Sequence, residues 1–145
     1  MIAYADTGFL CSLYTPDAHS VRAAARMKRQ ELPLPFTWLH QLEFRNALRL
    51  RVFRREITVA EGDASLNAAL ADLATGVLTA SAPPLAETMI EAERLSATHS
   101  RKLGTRSLDI LHVAAGLVLG LAEFLTFDKR QASLARAAGL KVLPR

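Results

Sequence analysis

Ile2-Ala3-Tyr4-Ala5-Asp6-Thr7-Gly8-Phe9-Leu10 decides how this chain is read. A short apolar run reaches one carboxylate and turns at once into small and apolar residues. That is the pattern of a buried strand that delivers Asp6 at its carboxyl end and passes straight into a helix. Asp and Thr both favour a helix start, and a carboxylate there meets favourable partial charge. In open α/β sheets, ligands gather just outside the carboxyl ends of the strands, so Asp6 stands where chemistry takes place. Helix capping is the competing duty for the same side chain.

The totals are those of a folded enzyme-sized domain. The chain has 145 residues, most simply one domain over 1–145, long enough to bury roughly two-thirds of its unfolded surface. Half the residues are hydrophobic and 22% are charged, which argues against disorder. No apolar run approaches bilayer length and the N-terminus lacks a basic signal start, so no membrane association and a cytoplasmic location are expected. The single cysteine, Cys11, cannot form an internal disulfide. Eighteen Lys and Arg against 14 Asp and Glu leave a net charge of +4, a modest surplus suited to a polyanion.

Working outward from Asp6, helices and strands alternate. Phe9 to Tyr14 reads as a short helix closed by Pro16. Asp17 opens a second, bearing Arg22, Arg26, Lys28 and Arg29 and running to about Glu31, where Pro33 and Pro35 end it. Phe36-Thr37-Trp38 reads as a brief extended segment. From Leu39 a third helix shows an apolar face of Leu39, Leu42, Ala47, Leu50 and Phe53. That spacing puts Glu43 on the inward side, where an ionised carboxylate is costly unless paired or metal-bound. The same helix carries Arg45, Arg49, Arg51, Arg54 and Arg55, a run most simply read as a solvated basic face.

Thr58 followed by Glu61 forms a capping box for a helix ending at Gly76. Val77 to Ser81 reads as a strand, and Pro84 opens a long helix to about Gly104. Ser107 is the expected N-cap of a nearly all-apolar helix, in which Asp109 is the only acid and His112 reads as a core histidine. Glu123 to Phe127 forms a strand ending at Asp128, Lys129 to Ala138 a helix that Gly139 terminates, and Leu140 to Leu143 the last strand. The expected class is α/β: a three-layer α/β/α sandwich with a short, mostly parallel sheet flanked by helices.

Asp6 and Asp128 occupy the same kind of position, the end of a buried strand entering a helix, and in a parallel sheet those ends share one edge. Asp109 and Glu43 are expected to meet them there. Four acids without matching bases cannot all stay ionised unless a cation is present. Oxygen ligands suit Mg²⁺, with Mn²⁺ as a substitute, and no His/Cys spacing supports zinc.

The order Asp6-Thr7, then Leu42-Glu43-Phe44-Arg45-Asn46-Ala47-Leu48, then Leu108-Asp109-Ile110-Leu111-His112-Val113-Ala114, then Thr126-Phe127-Asp128-Lys129-Arg130-Gln131 resembles the PIN-domain ribonucleases. Within them it looks like a VapC-type toxin of a toxin–antitoxin pair, over the whole chain from Ile2 to about Val142. The resemblance implies a PIN-like fold and an endoribonuclease whose metal ligands are Asp6, Glu43 and Asp109. Asp128 would close the site or hold a second ion, and Thr126 would orient a carboxylate or a water. Arg106 and Ser107 flank Asp109 as lesser contributors. It further implies an RNA substrate, a small antitoxin as partner, and a homodimer. Such a site lets metal-activated water attack a phosphodiester without a covalent nucleophile. The arginines would hold the RNA backbone, which fixes position and not sequence choice.

Two other phosphoryl-handling folds are excluded by composition. A haloacid-dehalogenase-like site needs a second Asp where Gly8 stands. A receiver domain needs adjacent acids where Ala5 precedes Asp6, and a phosphorylatable Asp on a middle strand, whereas Val77–Ser81 contains no acid. The reading from another class is a non-catalytic binding module whose acidic pocket receives a partner's arginines.

Overall fold

Three residues of each strand are enough to set the architecture, because every strand pairing is parallel. The computed structural model describes residues 3–31 and 33–144. Among these, β1 (Ala3–Ala5), β4 (Glu123–Leu125) and β5 (Lys141–Leu143) form one sheet in the order β1-β4-β5. A second sheet pairs β2 (Leu34–Phe36) with β3 (Leu78–Ala80). The helices are α1 (Thr7–Tyr14), α2 (Ser20–Met27), α3 (Trp38–Phe53), α4 (Val59–Thr75), α5 (Leu85–Leu103), α6 (Ser107–Val118) and α7 (Lys129–Ala137). The α/β class with short parallel sheets is therefore observed, the strands being shared between two sheets. Ile2, expected in the first strand, lies outside the described residues. Among the described residues no helix is long and apolar enough to cross a membrane.

The chain divides into two compact units, Met1–Asp6 with Ala82–Arg145, and Thr7–Ser81. In the first, α5, α6 and α7 pack on one another and α7 packs on β5. Tyr4, Leu95, Val113, Phe124 and Leu134 are wholly buried in its core. Each such side chain removed from water contributes roughly 1.5–3 kcal/mol. The Tyr4 hydroxyl meets His112 Nδ1 at 2.8 Å, so His112 is a satisfied core histidine, as its place in an apolar helix suggested.

In the second unit, α1 packs on α2, α3 and α4, and α3 packs on α4. An aromatic cluster anchors it: Phe44 meets Tyr14 edge-on at 5.9 Å and Phe36 at 6.2 Å, while Phe36 stacks on His40 at 5.5 Å. Gly76 closes α4 at φ 85°, a left-handed conformation open to glycine without steric cost.

Several local expectations are corrected here. The buried stripe of α3 is Leu39, His40, Phe44 and Leu48, whereas Leu42 and Phe53, read as inward, are 68% and 83% exposed. The aromatic partners of Phe44 select that face, which an apolar count alone ranks second. Thr37 is not strand: it caps α3, accepting from His40 N at 3.4 Å while its own N–H donates to His40 Nδ1 at 2.9 Å. A histidine thus plays the part usually taken by Glu or Gln in a capping box.

Pro35 lies inside β2, where the ladder bonds fall on its neighbours: Leu34 N donates to Val77 O and Ser81 N to Phe36 O. Its missing N–H is therefore not called upon. Helix α2 starts at Ser20 and ends at Met27, because Asp17 is spent on the preceding turn, where Oδ1 accepts from His19 N at 2.7 Å. Arg106, not Ser107, occupies the N-cap position of α6.

Candidate active site

The parallel register builds the site in the first unit. Ala5 pairs with Leu125, so Asp6 and Thr126 follow as the next residues at the carboxyl edge. Both backbones extend the ladder one step further, Asp6 N donating to Leu125 O at 3.1 Å and Thr126 N to Leu143 O at 3.0 Å. Asp6 is 6% and Thr126 3% exposed. At that spacing the Thr126 hydroxyl donates to Asp6 Oδ2, and Thr126 Oγ1 accepts from Asp128 N at 3.0 Å. Asp128, exposed, is the N-cap of α7 and its Oδ1 accepts from Gln131 N at 2.9 Å.

Gln131 carries the connection to the next acid. It is 1% exposed, and its Nε2 donates to the backbone carbonyl of Asp109 at 3.1 Å. Asp109, in the first turn of α6, accepts from Arg106 Nε on Oδ2 at 3.1 Å. One hydrogen-bonded run therefore passes Asp6, Thr126, Asp128, Gln131, Asp109 and Arg106 in turn. Gln131 Oε1, buried, has no hydrogen-bond partner among the described residues. Spacing alone did not reveal Gln131. The available signal was an amide three residues beyond the Asp128 cap, followed by the core residues Ala132, Leu134 and Ala135.

The other sequence-predicted acid, Glu43, belongs to the second unit. It is half-buried on α3, and its Oε1 accepts from Thr7 Oγ1 at 3.0 Å. The same unit holds the arginine run. Arg49, Arg54 and Arg55 are exposed, Arg51 pairs with Glu56 at 3.2 Å, and Arg45 donates to Gln41 at 3.2 Å. Between α3 and α4 lies a groove of about 210 Å³, lined by Leu48, Val52, Val59 and Leu66 together with Arg45, Arg49 and Asp63.

Two titrating groups of the second unit are displaced from their ordinary values. Burial, then the hydrogen bond and negative charge of Asp72 at 2.6 Å, push the Tyr14 phenol up. Burial opposes ionisation of Asp17, but hydrogen bonds from Ser12, His19 N and Ser20 outweigh it and hold the carboxyl below its usual range.

The donor set of the first unit suits a hard cation by type, since every candidate ligand is an oxygen. Among the described residues no group of three or more His, Cys, Asp or Glu could hold a metal ion. For Mg²⁺ that is no obstacle, because the ion keeps several waters and takes one or two carboxylates together with substrate phosphates.

No family model matches the chain, and no curated protein matches it. Solved structures do. The crystal structure of FitAcB from Neisseria gonorrhoeae is similar with a TM-score of 0.65 at 13% identity, covering 99% of this chain and 97% of that one. The crystal structure of VapBC2 from Rickettsia felis, bound to a DNA fragment from their promoter, is similar with a TM-score of 0.65 at 12% identity, covering 99% and 98%. At such identities the likeness shows the fold. It also corrects the assignment drawn from the sequence motifs. Membership of the PIN-domain ribonucleases as a VapC-type toxin does not stand, because the matches are to toxin–antitoxin complexes and either component of such a pair fits a chain of this length. What the chain shares with those structures is the α/β fold, which in its described residues comprises seven helices and short parallel sheets.

Proposed function

We propose that this protein is a Mg²⁺-dependent endoribonuclease, with Mn²⁺ as a substitute, that hydrolyses RNA phosphodiester bonds and works in the cytoplasm within a toxin–antitoxin type of assembly. The observation that carries the reading is the hydrogen-bonded run that holds Asp6, Asp128 and Asp109 along the carboxyl edge of a parallel sheet. Thr126 bonds the Asp6 carboxylate and the Asp128 backbone N–H, and the Gln131 amide reaches the Asp109 backbone carbonyl.

Asp6, Asp128 and Asp109 are the residues assigned to hold the cation. When bound, it supplies a water made nucleophilic near neutral pH and charge relief on the leaving oxygen. Thr126 holds one oxygen of Asp6 and so sets the direction of the other. Asp128, exposed, offers its carboxylate to solvent and substrate. Arg106 neutralises Asp109 in the absence of other cations. The exposed Arg49, Arg54 and Arg55 are assigned to RNA phosphates, which gives affinity without base choice.

Protein partners are assigned to the second unit. Its α3 and α4 leave Leu42, Leu50, Phe53, Val59 and Leu70 exposed, more apolar surface than a solvated helix pair needs. Both an antitoxin and a second copy of the chain are candidates for that surface.

The alternative, a non-catalytic module whose acids receive a partner's arginines, is favoured by one observation: a guanidinium already sits against Asp109. The test is cleavage of single-stranded and structured RNA by the purified protein with Mg²⁺ or Mn²⁺, with excess chelator, and with Asp6→Asn. Cleavage lost in both controls supports the nuclease. Cleavage unaffected by chelator contradicts the metal mechanism, and tight partner binding without any cleavage selects the module.

A further inference from the structure

Only residues 54–58 separate α3 from α4, a connection short enough to make them an antiparallel hairpin. Gly62 faces Val52 and Ile57, where an added Cβ would meet them at 3.5 and 3.6 Å. Antiparallel order lines up two rows of side chains at helical spacing. One is Leu42, Arg45, Arg49 and Phe53 on α3, and the other Val59, Asp63, Leu66 and Leu70 on α4. The groove of about 210 Å³ is lined by members of both rows together with Leu48, Val52 and Gly62. By that order, exposed Phe53 and Val59 mark one end of the rows, and exposed Leu42 and Leu70 the other.

The charges between those ends do not cancel. Arg45 donates to the neutral Gln41 at 3.2 Å, and Arg49 has no carboxylate partner among the described residues. Asp63 is the only acid in the lining. Two cations against one anion leave an apolar cleft with a positive surplus. A second copy docking by the same face is the poorer fit. Two-fold pairing would bring four arginines against two aspartates, and like charges brought together at an interface oppose association.

We infer that this groove receives an amphipathic helix of a separate, acidic protein: its apolar side chains enter between α3 and α4, and carboxylates beside them meet Arg45 and Arg49. This deepens the assignment of protein partners to the second unit and rests on it. Each row spans about 16 Å at 1.5 Å per residue, so about three turns of partner helix cover it, with apolar residues at i, i+4, i+7 and i+11. Arg49 is also assigned to RNA phosphates, so an acidic occupant competes with RNA there.

The probes are two fluorescein-labelled peptides of about 18 residues, long enough to be helical. They share one leucine stripe, flanked by glutamate in one and by lysine in the other. Each is titrated onto the full chain and followed by fluorescence anisotropy. Wild type is expected to bind the glutamate peptide roughly tenfold tighter, the effect of two ion pairs at an interface edge. Arg45→Glu with Arg49→Glu is expected to reverse that preference, which a damaged fold could not do. Val59→Ser, at an exposed residue of the lining, is expected to weaken both peptides.

Equal binding of both peptides, weakened by Val59→Ser, keeps the partner surface and overturns the acidic occupant. A glutamate preference that survives the charge reversal overturns the inference as well. If neither peptide binds, the inference falls, and two further readings say what takes its place. A uridine oligonucleotide bound by wild type and released by the charge reversal gives the groove to RNA. A dimer in light scattering that Val59→Ser disperses gives it to a second copy. No metal or cleavage is read in these arms, so each outcome leaves the nuclease reading standing.

Discussion

Each of the two units carries nine lysines and arginines against seven acids, so charge balance does not tell them apart. Placement does. In the first unit, three acids are tied into one hydrogen-bonded run at the end of a parallel sheet. In the second, five arginines fall within eleven consecutive residues of α3 and the turn after it, beside exposed Leu42 and Phe53. The same net charge therefore gives hydrogen-bonded acids, proposed to take a cation, in one unit, and an exposed basic and apolar helix face in the other.

That contrast yields predictions of decreasing size. Asp6→Asn is expected to lower RNA cleavage on the order of 10²-fold or more, since it removes charge from the group that Thr126 orients. Steady-state cleavage rates check it, with circular dichroism confirming the fold. Changing Arg49, Arg54 and Arg55 together to alanine is expected to weaken RNA binding with little effect on cleavage at saturation. The salt dependence of log affinity should flatten by about two, at roughly 0.7 per single-strand phosphate contact. An unchanged slope would move RNA binding away from the second unit.

Smaller effects sharpen the account of the second unit as a scaffold. Tyr14→Phe removes the bond to Asp72 and is expected to cost about 1 kcal/mol in denaturant unfolding. In wild type the raised Tyr14 pKa means that folding favours the protonated phenol. That contribution is complete below the ordinary value of 10.0 and declines as pH rises above it. Asp17 runs the other way. Its lowered pKa gives stability that is present above the ordinary value of 3.8 and lost as pH falls through the folded value. Asp17→Asn should flatten the acid limb of the stability curve. Smallest of all, Arg55 has φ 60°, so Arg55→Gly is expected to raise stability by up to about 1 kcal/mol.

Much of this was legible in the residues, for reasons that can be named. Asp6 could be placed because it directly follows a short apolar strand; Asp128 was expected at the equivalent place, but the register gives that place to Thr126, and Asp128 lies two residues on as the exposed N-cap of α7. His112 could be placed because a lone polar residue in a buried helix needs a partner, and Tyr4 supplies it. The wrong face of α3 was chosen because Leu42, Leu50 and Phe53 match helical spacing as well as the true stripe does. Only the aromatic neighbours Tyr14 and Phe36, which arrive from other elements, break that tie. Thr37 was missed as a cap because histidine is not an expected capping-box partner, and Pro35 as a strand residue because its unneeded N–H shows only once β3 is in register. Gln131 was invisible for a deeper reason: its bonds to the Asp128 cap and the Asp109 carbonyl exist only once α6 and α7 are packed. The family drawn from four ordered motifs did not survive comparison, since short acid-containing motifs mark a fold edge more reliably than they mark descent.

The proposed function stands or falls on whether the acids of the first unit take a divalent cation. The most direct measurement is anomalous diffraction from crystals soaked in Mn²⁺. The account predicts a peak bonded to carboxylate oxygens of Asp6 and at least one of Asp109 and Asp128, absent in Asp6→Asn crystals. Well-ordered density with the Arg106–Asp109 pair intact and no Mn²⁺ at these carboxylates would contradict it.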